Sequence, residues 1–107
     1  MTLDDLKRIP VLQTATIAEA CKDPATLAYV VGCLHRFWRG DFGEVCQEDA
    51  DANNADLEAG DGHALARYAG KGSLTGDIYI EAHFFDDPAY KNDIDYNYTM
   101  ICYPAER

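Results

Sequence analysis

Two hydrophobic periods run along this chain and divide it. From Asp23 to Gly40 apolar residues recur at helical spacing: Leu27, Val30, Val31, Leu34 and Trp38 stand at i, i+3, i+4, i+7 and i+11, a stripe expected to face a core. Asp23 is a good N-cap, and Pro24 takes the first helical position, where its missing N–H costs nothing. Arg36 and Arg39 suit the negative end of the helix dipole, and Gly40 stops the helix. From Ile78 the period falls to two: Ile78, Ile80, Ala82 and Phe84 alternate with Tyr79, Glu81, His83 and Phe85. The same alternation recurs in "YNYTMICY", where Tyr96, Tyr98, Met100 and Cys102 oppose Asn97, Thr99, Ile101 and Tyr103.

Weaker elements fill the remainder. Val11 to Thr16 is a short β-prone run, a helical turn is expected over Ile17 to Cys21, and His63 to Ala69 is a candidate strand. "GDFG", Gly40 to Gly43, reads as a turn with Phe42 folding back onto the core. Gln47 to Ala59, ended by Gly60, holds only tolerable helix formers. At 100° per residue its Ala50 and Leu57 fall together, with Asn53 and Asn54 beside them; the acids form two outer columns, Asp49 with Asp56 and Asp51 with Glu58. The order predicts an α+β fold in a single small domain over residues 1–107, with about two main helices packed on one face of a mostly antiparallel sheet of three to four strands.

Charge adds an asymmetry that periodicity does not show. Residues 1–39 carry four acids and five bases, whereas residues 40–107 carry fifteen acids and four bases. Residues 40–62 hold eight carboxylates and no lysine or arginine. A field of that sign repels nucleic acid and anionic membranes, so no direct nucleic-acid binding and no membrane are expected, and it attracts basic protein surfaces. "MTLDDLKRIP" lacks the basic start and apolar middle of a secretory leader, and no apolar run reaches the length of a membrane span, so the chain reads as cytoplasmic.

The usual chemical templates fail. Cys21, Cys33, Cys46 and Cys102 make no C-x-x-C pair, so neither a zinc site nor a disulfide scaffold is expected. Asp49, Asp51 and Asn53 occupy positions 1, 3 and 5 of a calcium loop, but Asn54 and Gly60 stand where it needs glycine and glutamate. His35, His63 and His83 share no metal-ligand spacing, so no metal and no cofactor are expected. Cys46 with His63 and Asp61 is the only nucleophile group the sequence offers, and surrounding acids work against a thiolate there. The chain is accordingly read as no enzyme, a small Cys/His hydrolase being the remote alternative.

His35 and Arg36, the Gly40–Gly43 turn, the acidic Glu44–Asp49 segment, Asn54 to Leu57, Gly60, and Leu65 to Tyr68 together resemble a family of small bacterial proteins carried by phages, plasmids and integrative elements. The likeness covers roughly residues 13 to 81, and the segment after Ala82 follows its own pattern. The family has no agreed activity, but that likeness set beside the charge map points to a non-catalytic inhibitor of host defence, of the anti-CRISPR kind, expected to work in the cytoplasm of a bacterial host. CRISPR effectors hold nucleic acid in basic channels, where a rigid array of carboxylates can compete for the same lysines and arginines. The expected partner-binding residues are Asp41, Glu44, Glu48, Asp49, Asp51, Asp56, Glu58, Asp61, Asp86, Asp87, Asp93 and Asp95, and the expected partner is a basic nucleic-acid-binding protein or CRISPR effector complex. A protein-binding adaptor or antitoxin-like regulator is the alternative.

Overall fold

A computed structural model describes all residues, 1–107. The elements are α1 (Leu3–Leu6), β1 (Val11–Gln13), α2 (Ala15–Ala20), α3 (Pro24–Trp38), α4 (Gln47–Ala59), β2 (Asp61–Tyr68), β3 (Ile78–Phe85) and β4 (Tyr98–Cys102), followed by a 3₁₀ turn at Pro104–Glu106. They build an α+β domain around one four-stranded sheet of order β1-β4-β3-β2. The β2–β3 and β3–β4 pairs are antiparallel and the β1–β4 pair is parallel.

Local chemistry explains the boundaries. At α3 the Asp23 carboxylate accepts the Ala25 N–H at 3.2 Å and the Thr26 hydroxyl at 2.8 Å, as an N-cap should. The first helix, absent from the periodicity reading, is set by a capping box between Thr2 and Asp5. The run beginning at Val11 ends sooner than its β-prone residues suggest. Thr14 gives its N–H to the Ile101 carbonyl and its hydroxyl to capping α2, so the chain turns there.

The sheet's inner face carries Ala64, Ala66, Tyr68, Ile78, Ile80, Ala82, Phe84 and Ile101, all buried against the helices. Phe42 folds back as expected and meets Phe37 edge-on at 6.0 Å. One expectation is corrected. The core-facing residues of α3 are Thr26, Val30, Cys33 and Phe37, and of the apolar stripe only Val30 belongs to that set. Leu34 and Trp38 are half-buried at its margin, while Leu27 and Val31 are 46% and 42% exposed. Thr26 turns inward because its hydroxyl is satisfied there, donating to Asp23 and accepting the Ser73 N–H at 2.9 Å. That bond holds the helix one residue away from its most apolar orientation.

The β2 edge of the sheet is closed by side chains and loop backbone. Asn53 of α4 donates to the Leu65 carbonyl at 2.8 Å and accepts the Leu65 N–H at 3.0 Å, filling the place of a neighbouring strand. Two residues further along β2, Arg67 gives its N–H to the Phe42 carbonyl and accepts the Glu44 N–H. At the other end, the Asp56 carboxylate accepts the His63 N–H at 3.2 Å. Gly62, at φ 127°, makes room for that approach: a Cβ there would stand 2.3 Å from Asp56 Oδ2.

Replacing Asn53 with Ala leaves two part-buried backbone groups of Leu65 without their partners. It should lower stability by about 2 kcal/mol or more in urea unfolding, whereas Asn54→Ala, on the exposed side of the same helix, should change it by less than about 0.5 kcal/mol. The rotation of α3 is checked the same way. Phe37→Ala should cost about 3–5 kcal/mol, and Leu27→Ala under about 1 kcal/mol.

Candidate protein-binding face

The acidic helix packs on β2 through a narrow face, tied there by Asn53, by Asp56 and by the N-terminal ammonium, which donates to the Leu57 carbonyl at 2.9 Å. Asn53 and Leu57 are its buried residues and Ala50 lies against the core, so its outer face is free of structural duty. Glu48, Asp49, Asp51 and Glu58 are exposed on that face, with Glu44 and Asp61 exposed just beyond its two ends. None of these six has a cation within ion-pair distance. Asp51 accepts a hydrogen bond from Gln47, and no other side-chain bond restrains the group.

Five of the expected contact acids have work inside the molecule: Asp41, Asp56, Asp87 and Asp93 accept internal hydrogen bonds, and the Asp86 carboxylate lies 3.6 Å from the N-terminal ammonium of Met1. Asp41 pairs with Arg36 at 2.7 Å and accepts the Gly43 N–H. The Arg36 guanidinium, followed by that N–H, holds its carboxyl below the usual range. Asp56 is turned towards His63 at the strand edge. The β3–β4 connection meets the end of α4, where the Asp86 N–H donates to the Gly60 carbonyl at 2.7 Å. Asp61 lies opposite Phe85 in the sheet, so Glu58, Asp61 and Asp86 gather at this end, about 15 Å along the helix from Glu48 and Asp49. Asp87 and Asp93 shape the connection, accepting the N–H groups of Ala89 and Asp95.

The same connection carries an aromatic group. Tyr90 lies 4.5 Å from Tyr96 and 5.4 Å from Phe85, ring centre to ring centre, and both tyrosines are well exposed. Three partly wet rings among Asp86, Asp87, Asp93 and Asp95 give this end of the molecule an apolar contact surface as well as charge.

The outer sheet face holds a polar cluster that spacing along the chain does not reveal. The β2–β3 register sets His63 opposite His83, and β3–β4 sets His83 opposite Tyr98, giving a row of stacked rings. Beside it lies Glu81, its side chain only 8% exposed. Arg107 donates to both its carboxylate oxygens, at 2.7 and 3.3 Å, and His83 Nε2 lies 3.0 Å away. Burial works to raise this carboxyl, but Arg107 and His83 outweigh it and hold it below its ordinary value. A local signal did exist, since Glu81 and His83 stand two apart on one strand and must share a face. His63 joins them only through strand pairing. No group of three or more histidine, cysteine, aspartate or glutamate side chains is arranged to hold a metal ion.

The nucleophile group of the sequence is not brought together. Cys46 caps the start of α4, whereas His63 lies beside Asp56 ten residues further along, about 15 Å away by helical rise. Cys33 and Cys102 are buried, and burial pushes both thiols up. Asp49, Asp51 and Asn53 lie in regular helix and not in a calcium loop. No helix is long and apolar enough to cross a membrane.

The chain matches no protein-family model, no curated protein and no solved structure.

Glu81 links stability to pH with a definite sign. Its carboxyl in the folded protein lies below the ordinary 4.5, so the folded state binds fewer protons than the unfolded state as acid is added. The resulting stabilisation is complete above about pH 4.5 and is lost as pH falls through the folded value. Glu81→Gln should cost about 1–3 kcal/mol near neutral pH. In urea unfolding followed across pH, that gap from the natural protein should close below about pH 4.5; a gap independent of pH would separate Glu81 from the ion pair.

Proposed function

We propose that this chain is a non-catalytic binding protein of the nucleic-acid-mimic type, which places its acidic edge on a basic, nucleic-acid-binding surface of a protein partner. The observation that carries the reading is that Glu48, Asp49, Asp51 and Glu58 stand without a cationic partner on a helix seated by Asn53. Residues 40–62 contain no lysine or arginine at all, so within that segment nothing of opposite sign interrupts the carboxylates. A fixed helix also presents its charges without the ordering cost that a flexible acidic tail would incur on binding. The CRISPR effector suggested by the sequence resemblance belongs to the right class of partner, because its channel lines up lysine and arginine side chains for phosphates.

The contact is not a copy of a phosphate track. Carboxylates seven residues apart on α4 are about 10 Å apart along the axis, while duplex phosphates are denser. The acids at the Gly60–Asp86 junction extend the array beyond the helix end.

A second reading is favoured by Phe85, Tyr90 and Tyr96. In it the aromatic group anchors an adaptor contact and the acids form its rim. Salt distinguishes the two. Capture of a purified CRISPR effector complex should weaken at least about tenfold between low and physiological salt if carboxylates carry it. Changing Glu48, Asp49, Asp51 and Glu58 to Gln or Asn should abolish it, and Tyr90→Ala should leave it within about threefold. Binding that resists salt and is lost with Tyr90→Ala would establish the adaptor reading. Equal capture by the natural protein and the acid-neutralised variant would overturn the mimic.

A further inference from the structure

The two edges of the sheet are treated oppositely. The β2 edge is closed by Asn53, Asp56 and the Phe42–Glu44 segment, but nothing covers β1. The Pro10 carbonyl and the Thr14 N–H bond to β4, and residues two apart on a strand share a side, so Val11 and Gln13 turn their N–H and C=O groups outward. All three residues of β1 are exposed. Beside this edge runs a groove of about 250 Å³ between the strand and α3, lined by seven apolar residues and Gln13. Its outer wall is the part of the α3 stripe that the core does not use: Leu27 and Val31, with Leu34 half-buried next to them.

We propose that this edge is a two-fold interface between two copies of the chain, with β1 pairing antiparallel to β1 of the second copy about an axis through Leu12. In that register Val11 faces Gln13 of the other copy and Gln13 faces its Val11. Both are the residues whose backbone groups point outward, so each pair can exchange two hydrogen bonds. The axis is perpendicular to the sheet and keeps both helical layers on one side, so the two α3 stripes flank the junction and cover each other's Leu27 and Val31.

Charge selects a second copy as the occupant. The interface lies in the third of the sequence that is not acidic, residues 1–39 with four acids and five bases, whereas residues 40–107, with fifteen acids and four bases, carry a net charge that repels its like. The ends of β1 are unlike: Arg8 precedes it, and Glu106 lies at its far end, held by Thr14 and Thr16. Antiparallel pairing sets Arg8 towards the Glu106 end of the other copy twice over, whereas parallel addition would set like ends together. The assembled sheet has eight strands, with the two acidic α4 edges at its opposite limits. This inference uses neither the acidic face nor its partner.

Sedimentation of the natural protein should give a dimer that dissociates on dilution, and Leu27→Glu with Val31→Glu should give a monomer of unchanged circular dichroism, because both side chains are already exposed. The acid-neutralised variant of α4 should remain dimeric, which separates this test from that of the acidic face. In a background of Cys21→Ser and Cys46→Ser, Leu12→Cys should cross-link two copies on mild oxidation, since the pair on the axis is non-hydrogen-bonded with Cα atoms about 4.5 Å apart. Thr75→Cys in the same background should not. A natural protein that is monomeric into the high micromolar range, a dimer that survives the two glutamates, or a dimer that Leu12→Cys fails to cross-link would each overturn the proposal.

Discussion

The fold depends on the backbone of β2 being satisfied along its outer edge. A sheet of four strands has two edges, and an open edge presents unpaired backbone groups to any strand that meets it; in this chain the β2 edge is closed and the β1 edge is open. One asparagine amide supplies a donor and an acceptor at the spacing of a strand, and the Phe42–Glu44 segment and Asp56 extend the closure on either side. Almost everything between α3 and β2 serves that closure. Gly43, at φ 70°, admits the close pass against the Arg67 carbonyl, Phe42 plugs the core, and the Tyr68 hydroxyl donates to the Asp41 carbonyl at 2.6 Å. The turn between the two helices is thus part of the sheet's edge and not a plain connection.

That construction also explains how so acidic a segment can be ordered. A helix of thirteen residues is marginal on its own and depends on the packing of one face for its stability. Here two backbone-like hydrogen bonds and the insertion of Leu57 substitute for an apolar stripe, and the outer face is released from packing. Charge and architecture are therefore separable in this molecule: residues facing β2 hold the helix, and the carboxylates facing water take no part in doing so.

Legibility in the sequence followed the range of each interaction. The ends of α3 and α4 are set by Asp23, Pro24 and Gly60 within a few residues, and the two-residue period of β3 and β4 is local, so all four elements read directly. The face of α3 reads wrongly by one position because Thr26 is held inward by Ser73, a partner forty-seven residues away. Asn53 looks like a polar flank in projection, since nothing within α4 indicates that its amide will meet the Leu65 backbone. Likewise His63 and His83 become neighbours only through register, and the parallel placement of β1 beside β4 joins the two ends of the chain. Of the acids marked as contacts, the sequence cannot separate Asp41 and Asp56, with their inward duties, from Glu48 or Glu58, which have none.

The separation of anchoring from display on α4 has a consequence for how this protein can change over generations. Asn53, Asp56 and Leu57 are the positions at which substitution reaches the sheet, and the water-facing positions can be exchanged among helix-tolerant residues with little effect on folding. Selection acting on that surface would therefore meet little resistance from stability. The helix offers a face that can drift quickly in pursuit of a changing target while the scaffold beneath it stays still.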